Sequence, residues 1–343
     1  MNETTQEKMD FEPEADNPKI VAAAIWMSVV GTIALLLLPG LVGSFVDYLG
    51  FTAQHAGLVA STQLAGTSLG LLFTTVFMVR LNQRTTTLIA LIGIIICDIL
   101  SAAAKGVALL CLLRFFAGAG AGVALGLAIG ILSSMRNPDA KFSLAIVAQF
   151  AMGGVGIFFL PNLLASIGMG GVFLCIAIIS VVGILICPWL TSGPADLGSQ
   201  EEKLAPLKSL FTGATIIVLL AFFLFYASNG AQWAYLDRIG IGGGLSAEDV
   251  GVALSICMIA GILGAMAAAA AAGHGSRRLW LFIGSGLAVL ASILLASEFK
   301  FTAFCIGACL VNGALSFVVP FYLVTERKEI CTVKTGGCSI LKG

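Results

Sequence analysis

Ten apolar stretches limit this chain to one kind of fold. They run Ile20–Val46, Ala56–Val79, Thr86–Ala104, Val107–Ser133, Phe142–Ile167, Gly171–Leu190, Leu210–Tyr235, Val250–Ala272, Leu279–Ala296 and Phe301–Val324. The hydrocarbon core of a bilayer is about 30 Å thick and takes about 20 helical residues to cross. Backbone N–H and C=O groups cannot stay unpaired in lipid, so stretches of this length cross it as helices. The expected fold is all-α, a polytopic bundle of membrane helices.

Composition agrees. Apolar residues make up 59% of the chain and charged ones 10%, with a mean hydropathy of +1.03. A soluble domain is about a quarter charged, and a surface this apolar would aggregate in water. The formal net charge is zero, which leaves no basic patch for nucleic acid. Most of the nine cysteines stand singly inside apolar stretches, and Cys331 and Cys338 lack ligand spacing. They read as packing residues, not as a disulfide framework or a metal site. No Gly-x-x-x-x-Gly-Lys-Ser/Thr loop, carboxylate pair or nucleophile constellation points to an enzyme, and no cofactor is expected. His274, between two glycines, reads as a solvated loop residue.

Loop charge gives the orientation, because cytoplasmic loops are enriched in Lys and Arg. With the N-terminus inside, inner segments hold Lys8, Lys19, Arg80, Arg84, Arg136, Lys141, Arg277 and Arg278, among others. Outer loops hold only Lys105, Arg238 and Lys300. The chain then divides into an acidic cytoplasmic tail (1–19), a six-helix bundle (20–190), a cytoplasmic linker (191–209), a four-helix bundle (210–324) and a polar cytoplasmic tail (325–343).

The two bundles align at an offset of 194 residues. Gly57 then meets Gly251, Ser61 meets Ser255, Gly70 meets Gly264 and Arg84 meets Arg278. The same offset lays the first stretch on the seventh and the fourth on the tenth. The mate of stretch five would start near residue 336, where the sequence is polar and short. Two pseudo-repeated halves, six helices plus four, are therefore expected.

One charge pair stands inside the spans. Asp98 and Arg114 each lie about six residues, roughly 9 Å, from the hairpin that joins stretches three and four. Equal depth on adjacent antiparallel helices lets them pair, and a buried guanidinium needs such a partner. The pair reads either as a structural ion pair or as a proton or substrate site. After Arg114, a glycine recurs at every fourth position: Gly118, Gly122, Gly126 and Gly130. Small residues at this spacing let a neighbouring helix approach closely, so they read as a packing seam.

Arg114-Phe-Phe-Ala-Gly-Ala-Gly-Ala-Gly122 resembles the fourth-helix motif of the major facilitator superfamily, with Ala117 where that motif has glutamine. Arg80-Leu-Asn-Gln-Arg84 keeps only the basic residues of the family's loop after helix two, and Gly273-His-Gly-Ser-Arg-Arg278 echoes it after helix eight. The resemblance covers about residues 18 to 324. It implies a transporter of that superfamily without its last two membrane helices. It also implies that Arg114 is linked to proton coupling, and that helices one, four, seven and ten line a central cavity.

Polar side chains inside the spans are the cavity candidates: Gln63, Gln149, Tyr226, Asn229, Gln232, Trp233 and Asn312. Tyr226, Asn229 and Trp233 fall on one face by helical spacing, and Tyr235 suits the membrane interface. Pro39 and Pro320 are expected to bend spans one and ten. The expected function is secondary active transport of a small organic solute by alternating access, with protons as the candidate coupling ion. The chain is expected to be a monomer in the lipid bilayer of the cell (inner) membrane, with its N-terminus in the cytoplasm. The rival expectation is a non-transporting, truncated membrane protein.

Overall fold

A computed structural model of the protein describes residues 17–135, 138–193, 213–271, 276–296 and 300–334, with side chains in the last helix as far as Val318. These residues form ten α-helices and no strand: α1 (Pro18–Leu36), α2 (Leu38–Asp47), α3 (Ala53–Phe77), α4 (Gln83–Ala103), α5 (Val107–Ser133), α6 (Pro138–Ile186), α7 (Gly213–Gly242), α8 (Ala247–Ala271), α9 (Arg277–Ala296) and α10 (Phe301–Lys334). Eight of them are long and apolar enough to cross a membrane. Capping side chains help to set their starts. Asn17 accepts from the Lys19 amide, Thr52 from His55 and Asn82 from Thr85, each satisfying an amide the helix leaves open.

The first apolar stretch is two helices, broken at Leu37. Pro39 explains the break, since it has no N–H to donate to the carbonyl of Leu35. Stretches five and six are joined without a loop in α6, whose helical backbone is interrupted only at Gly168 (φ 65, ψ −177). Ala145, near the start of α6, and Cys187, just past its end, share one core cluster with Ile20 and Leu132. The chain therefore reverses at Gly168, and α6 is two antiparallel spans. Glycine suits that position because L side chains rarely adopt such a backbone. The last helix continues through Pro320 to Lys334, ten residues past the expected end. The proposed linker from 194 onward, the loop glycines Gly273 and Gly275 with His274, and the tail beyond 334 lie outside the described residues.

The structure repeats itself at the same offset of 194. Gly50 in the turn after α2 and Gly244 in the turn after α7 both take left-handed backbone, with φ of 66 and 86. A Cβ on Gly70 would overlap the carbonyl oxygen of Ala119, and one on Gly264 would overlap that of Gly313. Gly118 packs against the carbonyl of Gln63, and its mate Asn312 donates to the carbonyl of Cys257 at 2.9 Å. The pairs α3·α5 and α8·α10 are the most extensive helix contacts in the molecule.

The halves differ in cover. α6 packs on α1 and α4, and α7 and α9 have no counterpart to α6 among the described residues. Of the apolar window of α4, 33% is buried, against 17% for its mate α9. Ile217, Phe223, Leu224 and Tyr226 on α7 are exposed. The largest core cluster crosses between the halves, joining Leu41 and Phe45 to Leu236, Leu254 and Phe304.

Candidate functional site

Asp98 on α4 and Arg114 on α5 meet at 2.6 Å, and both side chains are 1% exposed. Arg114 also donates to Ser101 Oγ at 2.9 Å, and its guanidinium lies 4.5 Å from the ring centroid of Phe173 on α6. Three elements of the first half thus close around one charge. Asp98 Oδ2 and Arg114 Nε have no hydrogen-bond partner. A buried ion pair held by one hydrogen bond recovers only part of its desolvation cost. The pair lies within the first half and does not line the seam between the halves.

The four glycines after Arg114 face α3 and the turn that follows it. A Cβ on Gly118, Gly122, Gly126 or Gly130 would overlap, in order, the carbonyl of Gln63, the carbonyl of Thr67, the Thr74 hydroxyl and the Met78 side chain.

The remaining expected residues do not converge on one point. Gln63 is buried beside Gly118, and Gln149 is half-buried on the first span of α6. Asn229 is buried and donates back to the Phe225 carbonyl at 3.1 Å. Gln232 donates to Ser292 on α9 at 2.8 Å. Tyr226 is exposed and packs on Phe222, apart from Asn229 and Trp233. Spans that are apolar on every side carry no moment to say which face looks inward, so helical spacing alone could not separate them.

Trp233 has a specific task. Its indole N–H donates to the carbonyl of Leu35 at 2.9 Å. That carbonyl is the one left open by Pro39, so α7 supplies the donor that α2 lacks. Trp233→Phe should cost about 1 kcal/mol by leaving the acceptor unpaired, read as a lower melting midpoint in detergent. Adding Pro39→Ala should return part of the loss by restoring a backbone donor.

Trp233 opens a series of bonds by which α7 holds the first half. Tyr235 donates its hydroxyl to the Ala53 carbonyl at 2.9 Å. Arg238 makes a bidentate pair with Asp47 at the end of α2, Nη1 to Oδ1 at 2.8 Å and Nη2 to Oδ2. Arg238 Nη2 also reaches Asp237 at 3.2 Å. On the other side of the seam, Ser255 on α8 donates to the Gly154 carbonyl on α6 at 3.2 Å. Glycines permit the approach: a Cβ on Gly43 would overlap Asp237, and one on Gly57 would overlap the Tyr235 hydroxyl. A cavity of about 250 Å³ opens here, lined by Ser44, Asp47, Tyr48, Leu160, Asp237 and Arg238 among others. None of the expected cavity residues lines it. Among the described residues, these bonds between halves run from mid-bundle to the Arg238 end. Asp47, Asp237 and Arg238 were missed as a cluster. The signal available was that each stands at the same end of spans that the repeat superposes.

Known proteins of like sequence and shape agree with this architecture. The sequence pattern of the Major Facilitator Superfamily matches residues 20–327. An uncharacterized MFS-type transporter, YceJ of Bacillus subtilis (strain 168), is 24% identical over 302 residues, covering 86% of this chain and 71% of that protein. The nucleoside transporter NupG superposes with a TM-score of 0.73 at 14% identity, over 94% of this chain and 88% of that one. The xylose transporter XylE from E. coli, in a partially occluded inward-open conformation, gives 0.68 at 13% identity, over 92% and 88%. At these identities the two solved structures show a shared fold. With the sequence pattern matched over nearly all the spans and the repeat visible in the packing, the chain belongs to the Major Facilitator Superfamily.

Proposed function

We propose that this protein is a secondary active transporter that carries a small organic solute by alternating access, driven by protons. The observation that carries the reading is a pair of repeat-related halves bonded to each other from mid-bundle to one end. Rocking of such halves about a midplane site is how repeat-built carriers expose that site to each side in turn. The Arg84 end, with the basic loop residues, is assigned to the cytoplasm and the Arg238 end to the outside. The chain acts as a monomer in the cell (inner) membrane. Few charges lie within the spans, which favours a neutral or weakly polar solute. Asp98 and Arg114 are assigned to coupling, since Asp98 Oδ2 is an acceptor that a proton would fill.

The test is solute flux into proteoliposomes, with pentoses and nucleosides, the classes named for the structural neighbours, as the first panel. Uptake above protein-free vesicles, raised by an inward proton gradient and abolished by a protonophore, is expected. Binding without flux for every class would sink the transport reading. It would favour a non-transporting membrane protein, the reading that the thin cover on α7 and α9 supports. Arg114→Lys that kept full flux and its pH dependence would remove the pair from coupling.

A further inference from the structure

The Arg238 end contains one cation between two carboxylates, and the carboxylates belong to opposite halves. Asp47 lies on α2 of the first half, 53% exposed, and Asp237 lies beside Arg238 on α7, 15% exposed. Arg238 contacts both. When the halves part, Asp47 must leave and Asp237 travels with the arginine. A guanidinium losing its only counter-ion in a half-buried site would resist separation. One with a resident second partner resists less.

We propose that Arg238 is the latch that holds the halves closed at this end through Asp47, and that Asp237 is the carboxylate that receives it on opening and, once protonated, cannot. The latch therefore closes on acid. This deepens the alternating-access reading and rests on it for the motion, but not for solute flux.

The surroundings suit the role. Tyr48 lines the same cavity, and the residues that α6 and α8 contribute to it, Ile157, Leu160, Pro161, Leu164, Ala247, Gly251 and Leu254, are uncharged. His55 at the start of α3, Lys105 in the turn before α5, Glu248 and Asp249 at the start of α8 and Lys300 just before α10 are all exposed at this end. Arg238 and Asp47 are thus the charges that act on Asp237. Asp237 lies two residues beyond the apolar stretch that ends at Tyr235. Burial pushes its carboxyl up to about 6, against the pull of Arg238 and with a further rise from Asp47. Opening exposes the group to water and returns it toward the ordinary 3.8. The closed form therefore binds the proton more tightly. Its acid stabilisation is complete below the ordinary value and is lost as pH rises through about 6.

The test is a distance measurement across the gate. Ketone-bearing residues replace Gln54 and Gly242, which are exposed on opposite halves, and carry nitroxides in the full chain in lipid nanodiscs. Electron-electron resonance then reads the closed and open populations. From about pH 7.5 to about pH 5 the closed-to-open ratio should rise about tenfold in the native chain. Asp237→Asn should stay closed without pH dependence. Asp47→Ala should open at every pH, and because Asp47 is exposed this variant keeps the test decisive whatever Asp237→Asn does to folding. An Asp237→Asn chain that titrates like the native one overturns the proposal, as does an Asp47→Ala chain with unchanged distances. A distance that titrates while no solute crosses would sink the transport reading and leave the latch. Flux with no titration would do the reverse.

Discussion

Arg114→Met is expected to be the most damaging single change in the molecule. It leaves Asp98 buried, at 1% exposure, with no cation and an oxygen already unpartnered. Removing one member of a buried pair costs about 3–5 kcal/mol, because the remaining charge has neither water nor partner. Most of the folded protein should be lost on purification, or its melting midpoint in detergent should fall sharply. The double variant Asp98→Leu/Arg114→Met removes both charges and should recover most of that loss. The same double variant divides the two roles the sequence left open. If the pair only holds α4, α5 and α6 together, the recovered protein should accumulate solute and respond to a proton gradient as the native one does. If the pair couples protons, the protein should fold and lose gradient-driven accumulation. A double variant no more stable than Arg114→Met would show that the geometry around Phe173, not charge compensation, sets the cost.

Gly122→Ala should be the next largest effect. The added methyl would overlap the carbonyl oxygen of Thr67 and stand 2.8 Å from the backbone nitrogen of Leu71. Backbone cannot yield as a side-chain tip can, so α3 and α5 must separate. Overpacking of this kind costs about 1–3 kcal/mol, and lipid supplies no hydrophobic drive to hold the helices together meanwhile. Gly93→Ala is the control, since a Cβ there meets nothing within 4 Å. It should be neutral or gain about 0.5–1 kcal/mol from helix propensity. The repeat extends the prediction. Gly70→Ala and Gly264→Ala confront equivalent carbonyls in the two halves, so their melting losses should be alike. A Gly264→Ala chain as stable as native would mean that the second half tolerates a looser seam.

Much of this was legible because membrane helices announce themselves one at a time. Lipid forces each apolar stretch into a helix, so α5 has the bounds expected, Val107 to Ser133. The Asp98–Arg114 approach followed from depth counted from a two-residue hairpin, which needs no knowledge of the rest of the fold. The contacts between halves were not legible in that way. Arg238 read only as an outer-loop charge and Tyr235 as an interface aromatic. Their partners, Asp47 and the Ala53 carbonyl, lie more than 180 residues away. Nothing local fixes how two bundles dock, and the all-apolar spans give no periodic face to dock by. The three-residue gap read between stretches five and six concealed a related fact, because nothing in it showed that a single glycine would make the turn.

That glycine has a consequence for how the gene can change length. Surface connections usually absorb inserted residues freely. At Gly168 only one non-helical residue separates two spans, so the second span inherits its rotational phase from the first. One inserted codon would turn its face by about 100° and carry Phe173 away from the Arg114 guanidinium. In-frame insertions at this position should therefore be selected against almost as strongly as nonsense, although the position looks like an ordinary loop. The turn between α7 and α8, where Gly242 and Gly244 meet no neighbour within 4 Å, is where the same lengthening should pass unnoticed.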